Sequence, residues 1–157
     1  MNTVVIPSPL GSVRISEDTA GICEISFVPG ERPSGKPDGK YIPEAARQLG
    51  EYFDGKRKVF SVPLSIGGTE FQRKVSRALL EIPYGETRSY SDVARSVGSP
   101  QACRAVGGAA NKNKLCIIVP CHRVIGKNGA PVGFAAGVDI KLALLGLEKK
   151  NYAAARI

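Results

Sequence analysis

Residues 89–111 read SYSDVARSVGSPQACRAVGGAAN, a pattern that predicts two helices separated by a short turn. Ser89 begins the first helix with a variant of the capping box, because an aspartate follows it three positions later. Ser99 is a good N-cap for a second helix over Pro100–Asn111, since proline is favoured at the first helical position. Two helices joined by a short turn that contains glycine form the helix-turn-helix motif.

The predicted second helix carries side chains that are almost all small. These residues are Ala102, Ala105, Gly107, Gly108, Ala109 and Ala110. Arg104 is the large charged residue in their middle. Small side chains let a backbone lie close to another surface, so this helix either packs tightly inside the protein or approaches a ligand closely.

The positive charge of the chain lies in the half that contains this motif. The net charge is +8. Residues 1–68 carry 8 Lys/Arg and 8 Asp/Glu, whereas residues 69–157 carry 14 Lys/Arg and 6 Asp/Glu. A basic half beside a neutral half is typical of a protein that binds a polyanion such as nucleic acid. A basic surface that serves only solubility is the alternative.

Further elements are predicted around the motif. Thr69 can cap a helix that ends near Ile82–Gly85, where proline and glycine occur together. The apolar run Leu115–Val119 predicts a short buried strand, and Gly126–Gly137 predicts a glycine-rich loop. Asp139 is expected to cap a final amphipathic helix.

The first half predicts a small sheet and one helix. Alternating apolar and polar residues over Thr3–Val28 predict an antiparallel meander, with Cys23 as a packing residue of its third strand. Glu44–Phe53 predicts a helix that Pro43 opens, and Lys56–Leu64 predicts a β-like segment. A linker is expected at residues 65–68.

The expected fold class is therefore α/β (α+β) with two domains. Residues 1–66 are expected to form a small N-terminal domain with an antiparallel sheet and a helix. Residues 67–157 are expected to form a mostly helical C-terminal domain with the helix-turn-helix.

Composition argues against several classes of protein. Hydrophobic residues make up 43% of the chain, yet no apolar run approaches the ~18 residues of a membrane span. The N-terminus lacks a basic segment followed by an apolar stretch, so we expect no signal peptide and a cytoplasmic location. The chain has a single histidine and four cysteines without C-x-x-C spacing, so we expect no zinc site and no other cofactor.

Cys121 is the candidate nucleophile. It follows Pro120, whose fixed φ and missing N–H help to hold the next residue in one place. His122 and Arg123 would both favour the reactive thiolate form of the sulfur. Side chains of adjacent residues rarely touch, so we expect any proton transfer between Cys121 and His122 to pass through water. On these residues alone, a buried structural cysteine is the alternative.

Residues 119–124 read VPCHRV, which resembles the I/V-P-C-H-R-V active-site signature of the O6-alkylguanine-DNA alkyltransferases. Other segments resemble family positions in the same order and at the same spacing; they are Phe71-Gln72, Ile82–Thr87, Ser89-Tyr90, Arg104–Gly107, Asn113 and Leu144–Glu148. The resemblance covers residues 69–149 well. It covers the first half more loosely, through Ser8–Gly11 and Tyr52–Gly55.

The resemblance implies DNA repair by direct damage reversal, with one irreversible turnover for each protein molecule. Cys121 would accept the alkyl group, and His122 would be a base linked to it through water. Glu148 would hydrogen-bond His122 and orient the imidazole, as a carboxylate does in hydrolase triads. Asn113 would tie the recognition helix to the active-site loop.

The resemblance also implies which residues contact the DNA and the damaged base. Tyr90 would donate to the flipped guanine or to a phosphate, and Arg104 would fill the space that the base leaves. The full expected set is Tyr90, Arg104, Ala105, Gly107, Arg123, Val124, Phe134 and Ala135. Phe134 replaces a commonly seen tyrosine, and Ala135-Ala136 replaces more usual serine, arginine or glycine residues. These departures would affect the range of alkyl groups that the protein accepts, whereas a contact through a backbone N–H would survive them.

The expected partner is double-stranded DNA, bound through its minor groove by a monomer and carrying O6-alkylguanine or O4-alkylthymine. Bound to DNA, the protein would be associated with the nucleoid. Three other functions fit parts of the sequence. They are a lesion-binding relative that transfers nothing, a Cys-His hydrolase acting on small molecules, and a helix-turn-helix transcription regulator.

Overall fold

The computed structural model describes residues 2–126 and 137–155. The chain divides into two compact units. The first unit comprises Met1–Ile66 with Lys114–Cys116, and the second comprises Gly67–Asn113 with Ile117–Ile157.

The first unit is an antiparallel sheet covered by a helix. Its strands are β1 (Asn2–Ile6), β2 (Val13–Glu17) and β3 (Ile22–Phe27), in the order β1-β2-β3, and its helix is α1 (Ile42–Phe53). The aligned residues Val4, Ile15 and Ile25 are all buried, and α1 packs against β2 with its own apolar face. The expected antiparallel meander and the mixed α/β fold class are confirmed.

A buried carboxylate positions the start of α1. The N-cap residue Tyr41 makes no capping bond with its side chain. Instead, Glu17 at the end of β2 accepts backbone N–H bonds from Lys40, Tyr41 and Ile42. Burial raises the pKa of Glu17, but these three bonds outweigh burial, and the pKa lies below its usual range.

Two segments that the sequence predicts as strands form no strand. Between Lys56 and Leu64, the structure has only an isolated bridge from Leu64 to Ile22. In the predicted strand 115–119, Leu115 bridges Ile25 and the chain then turns. Apolar side chains indicated burial correctly, but burial does not specify an extended backbone.

The second unit is mostly helical. Its elements are α2 (Glu70–Leu80), β4 (Arg88–Ser89), α3 (Tyr90–Ser96), α4 (Cys103–Asn111), a 3-10 turn (Cys121–Arg123), β5 (Val124–Ile125) and α5 (Val138–Ala155). Thr69 and Gln72 form a capping box at α2, and Ser89 and Asp92 form another at α3. The helix starts predicted at these two positions are therefore confirmed.

The second helix of the motif begins later than the sequence predicts. It starts at Cys103 rather than Pro100, and Ala102 is its N-cap. The N–H of Ala102 donates to the carbonyl of Ser99 at 2.9 Å, which closes a turn over these residues. Proline suits the second position of such a turn as well as it suits the first position of a helix, so the sequence signal is ambiguous.

Ile117 holds a strained backbone conformation just before the candidate nucleophile. Its φ is 73°, and in the described part of the chain it is the one residue other than glycine with a positive φ. A β-branched residue is rarely found there, because its Cβ crowds the following carbonyl. The side chain is 1% exposed, so its burial offsets the backbone cost.

We expect Ile117→Gly to be more stable than Ile117→Ala by about 1 kcal/mol, although both lose the same buried side chain. Glycine removes the steric cost of the positive φ, whereas alanine retains it. The measurement is the urea midpoint of the two variants. The control pair is Val106→Gly and Val106→Ala within α4, where alanine should be the more stable by about 1 kcal/mol. Equal midpoints for the Ile117 pair would contradict the strain.

Candidate active site

The Cys121 thiol is held in a tight turn by its own backbone and by one amide side chain. Its backbone N–H donates to the Val119 carbonyl at 2.8 Å. Asn113 donates from Nδ2 to Sγ of Cys121 at 3.1 Å and to the Val119 carbonyl at 2.9 Å. Cys121 is 6% exposed. The sulfur is thus fixed in a largely dehydrated position, with a hydrogen-bond donor directed at it.

His122 and Glu148 form a fully buried pair beside this turn. Nε2 of His122 lies 2.6 Å from Oε2 of Glu148, and the two side chains are 0% and 1% exposed. An ionised carboxylate only accepts hydrogen bonds, so Nε2 carries the proton and Nδ1 keeps its lone pair. Within the described residues, Nδ1 is buried without a hydrogen-bond partner.

Burial is the main influence on the protonation of His122. It lowers the pKa of the imidazole, and the opposing effect of Glu148 is the smaller one. The imidazole is therefore neutral at neutral pH and can accept a proton at Nδ1.

Arg123 is buried against the same carboxylate. Its Nε and Nη2 donate to the two oxygens of Glu148 at 2.8 and 3.1 Å, and Nη1 donates to the Ile82 carbonyl at 2.7 Å. The guanidinium also lies 5.6 Å from the centre of the Tyr84 ring. We expected Arg123 among the substrate- or DNA-binding residues, but these contacts and its burial direct the side chain inward instead.

Glu148 remains ionised although it is buried. Burial raises its pKa, but hydrogen bonds and charge from His122 and Arg123 outweigh burial and lower the pKa to about 2. Because His122 is neutral, we attribute the charge compensation chiefly to Arg123.

Tyr90 begins α3 and lies close to α4 and to the thiol. Burial raises the pKa of its phenol, and the nearby Cys121 raises it further. The phenol is therefore a hydrogen-bond donor at neutral pH. A Cβ built on Gly107 would lie 3.8 Å from the Tyr90 ring, which places these two expected site residues side by side.

The remaining expected residues of α4 lie on an open face. Arg104 and Ala105 are exposed, and a Cβ on Gly108 would meet no atom within 4 Å. Val106 and Ala110 point to the opposite side, where α4 packs on α2 and α3. The small side chains of this helix thus occur on its exposed face as well as in its packing face.

Val124 is buried in a short parallel pairing with Arg88. Its carbonyl accepts a hydrogen bond from Nζ of Lys141 at 2.5 Å, and Lys141 is itself 0% exposed. Sequence reasoning missed Lys141. It shares the buried face of α5 with Leu144 and Glu148, so its helical spacing from these two residues was the available signal.

The two expected residues Phe134 and Ala135 lie outside the described residues. Among the residues that are described, no group of three or more His, Cys, Asp or Glu is arranged to hold a metal ion. No helix in the same part of the chain has the length and apolar character needed to cross a membrane.

Because His122 is the only histidine, its burial predicts a measurable pH dependence of stability. Its pKa is lowered in the folded state, so the unfolded chain binds more protons, and stability falls as the pH drops below about 6.5. We expect the free energy of unfolding to fall by about 1 kcal/mol between about pH 7.5 and 5.5. In His122→Gln that loss should largely disappear. Urea titrations of both proteins at the two pH values provide the measurement, and equal losses would show that another group is responsible.

Comparison with known proteins agrees with the geometry of this site and with the resemblance in the sequence. Residues 70–150 match the DNA-binding domain of 6-O-methylguanine DNA methyltransferase, and residues 2–66 match its ribonuclease-like domain. A methylated-DNA–protein-cysteine methyltransferase of Methanosarcina acetivorans is 47% identical over 94% of this chain and 98% of that relative. The constitutive methylated-DNA–protein-cysteine methyltransferase of Bacillus subtilis is 48% identical over 92% of this chain and 93% of its own length.

A solved structure agrees with these matches. The crystal structure of Mycobacterium tuberculosis OGT in complex with DNA superimposes with a TM-score of 0.85 and 42% identity, over 94% of this chain and 92% of that one. Family matches span nearly the whole sequence, and the fold is shared as well. The chain therefore belongs to the 6-O-methylguanine DNA methyltransferase family.

Proposed function

We propose that this protein repairs DNA by transferring an alkyl group, typically methyl, from O6 of guanine to Sγ of Cys121. The observation that carries the proposal is that one short turn holds both the buried Cys121 thiol, which accepts a hydrogen bond from Asn113, and His122, whose imidazole pairs with Glu148 of α5. The relatives named methylated-DNA–protein-cysteine methyltransferases and the neighbour solved with DNA support the same reaction and partner.

The transfer is a displacement at the alkyl carbon. The thiol proton passes to Nδ1 of His122 through a water molecule, and Glu148 stabilises the imidazolium that results. Sγ of Cys121 then attacks the carbon, so that the S–C bond forms as the C–O6 bond breaks and its electron pair leaves with the guanine. The proton returns from His122 to the guanine, which departs neutral. A thioether is not hydrolysed under ordinary conditions, so each molecule acts once.

The substrate base has to leave the duplex before it reaches a buried sulfur. Extrusion costs a few kcal/mol, and a side chain that fills the gap offsets part of that cost. Arg104 suits this role because it is exposed on α4 beside Ala105 and the open face at Gly108. Because the side chains beside Arg104 are small, α4 can approach a shallow groove closely, and we therefore place α4 in the minor groove of the DNA. A single copy of the chain binds there.

Recognition of the extruded guanine is assigned to groups around the turn. Tyr90 donates from its phenol, and the backbone carbonyls of Cys121 and Val124 accept from the guanine edge. By the family resemblance alone, we also assign Phe134 and Ala135 to this recognition, with an N–H near Ala135 as a donor. Acceptance of O4-alkylthymine is part of the same proposal, because that lesion also presents an alkylated oxygen.

A mass measurement tests the reaction directly. We expect the protein incubated with an O6-methylguanine oligonucleotide to gain one methyl group, on the peptide that contains Cys121. Cys121→Ser should gain nothing and still bind the DNA, since serine retains the size of the site but not the thiolate. Cys103→Ser is the matched control and should react normally. Methylation elsewhere, or none in the wild type, would refute the assignment. Product in excess of protein would instead indicate a hydrolase.

Arg104→Ala should slow repair of O6-methylguanine in duplex DNA by roughly tenfold or more, because no side chain then offsets about 1–3 kcal/mol of the cost of extruding the base. The reaction with free O6-methylguanine should change little. Arg77→Ala, an exposed arginine of α2, controls for loss of charge alone. Single-turnover rates with both substrates give the ratio. Equal slowing with the duplex and with the free base would remove the proposed role of Arg104.

A further inference from the structure

Three residues shortly before the reactive cysteine belong to the first unit rather than the second. Residues 114–116 complete the outer edge of β3, where Ile25 pairs in parallel with Leu115. The N–H of Ile25 donates to the Lys114 carbonyl at 2.7 Å, and the N–H of Cys116 donates to the Ile25 carbonyl at 3.0 Å. Both backbone groups of Ile25 therefore point away from β2 and toward this segment.

The Ile25–Leu115 pairing is shielded from water. Ile25, Leu115 and Cys116 are all buried. Opening the pairing would leave backbone N–H and C=O groups without partners in a dry environment, and it would also expose the apolar side chain of Leu115. The segment is thus firmly fixed to β3.

The loop that contains this segment has both of its ends at the reactive turn. Asn113 begins the loop, and its amide donates to the Val119 carbonyl at 2.9 Å and to Sγ of Cys121 at 3.1 Å. The chain from Asn113 to Cys121 therefore forms a short closed loop. Its ends meet at the thiol, and its middle is fixed to β3.

The strained residue Ile117 lies between these two attachments. A β-branched residue holds a φ of 73° only where the structure fixes the chain on both sides of it. The attachment to β3 ends at Cys116, and the Asn113 amide holds the loop again at Val119. Release of the segment from β3 would let Ile117 relax to an ordinary conformation, and the chain that leads to Cys121 would move with it.

We propose that the Ile25–Leu115 pairing positions the nucleophile for alkyl transfer, with Ile25 and Leu115 as positioning residues. By holding the middle of the loop, the pairing keeps the Cys121 thiol where it accepts the Asn113 hydrogen bond and reaches the alkyl carbon. The first unit supplies no group to the reaction described above, yet it fixes the chain that carries the sulfur. This proposal rests on the proposed function, because it concerns the same reaction.

Alkyl transfer is sensitive to such placement. A misplacement of about 1 Å between reacting groups can slow a reaction by roughly 100-fold. DNA binding, in contrast, is assigned to the exposed face of α4, outside this loop. Loosening the pairing should therefore slow transfer within the bound complex and leave the affinity for DNA unchanged.

Leu115→Ala tests the pairing through its side chain. Because it removes buried contacts of the segment, we expect the single-turnover rate of methyl transfer at saturating DNA to fall by roughly tenfold. The rate with free O6-methylguanine should fall by the same factor, while the Kd for DNA should not change. Leu115→Met should restore most of the rate, since it refills the same space.

Leu49→Ala is the matched control for lost stability. Leu49 is buried in α1 of the same unit and lies outside the loop. At a temperature where every variant is folded, Leu49→Ala should react at the wild-type rate. Equal rates for Leu49→Ala and Leu115→Ala would overturn the proposal, even if both proteins were less stable than the wild type.

A second test removes one hydrogen bond and no side chain. Replacing Ile25 by its α-hydroxy acid turns the amide N–H into an ester oxygen, so the donor to the Lys114 carbonyl is lost while the side chain is kept. The same replacement at Ile22 is the matched control, because the Ile22 N–H donates to the Pro63 carbonyl at 2.9 Å from the same strand. Both ester proteins should lose similar stability.

The readout is hydrogen exchange at the N–H of Cys121, which donates to the Val119 carbonyl. We expect exchange there to be about threefold to tenfold faster in the Ile25 ester than in the wild type, and unchanged in the Ile22 ester. Equal exchange in the two esters would overturn the proposal. This measurement needs no DNA. A wild type that takes no methyl group would therefore refute the proposed function alone, whereas normal transfer with equal exchange would refute only the role of the pairing.

Discussion

The carboxylate of Glu148 is the group on which the geometry of the site depends. One buried anion accepts from the imidazole of His122 and from two nitrogens of Arg123, and all three side chains are almost fully shielded from solvent. Burying it would be costly without these partners, and burying Arg123 would be costly without Glu148. Glu148 and Arg123 therefore stabilise each other's burial, and Glu148 in turn orients the imidazole of His122.

This arrangement connects α5 to the reactive turn, and a second contact connects the turn to the end of α4. Asn113 follows α4 closely, and its amide reaches both the sulfur of Cys121 and the carbonyl of Val119. The turn is thus held from both sides by polar side chains, and the strained backbone at Ile117 lies between these anchors in sequence. Position, rather than an unusual residue type, distinguishes Cys121 from the other three cysteines of the chain.

The positively charged side chains near the site differ in their exposure to solvent. The buried cations Arg123 and Lys141 sit near the turn, whereas the exposed arginine of the motif, Arg104, lies on the open face of α4. Arginines that look alike in a sequence thus lie in different surroundings. Arg123 is needed to keep a carboxylate ionised in a dry site, and Arg104 remains available to a ligand.

Local signals in the sequence determined much of the fold and the identity of the key residues. The capping boxes at Thr69 and Ser89, the alternation over β1 to β3 and the VPCHRV segment depend on residues a few positions apart, so the sequence alone reveals them. Tertiary structure decided the rest. The turn in place of a strand at 115–119, the inward direction of Arg123 and the burial of Lys141 arise from contacts with residues distant in sequence. Such contacts set the direction and the solvation of a side chain, which residue type and spacing do not specify.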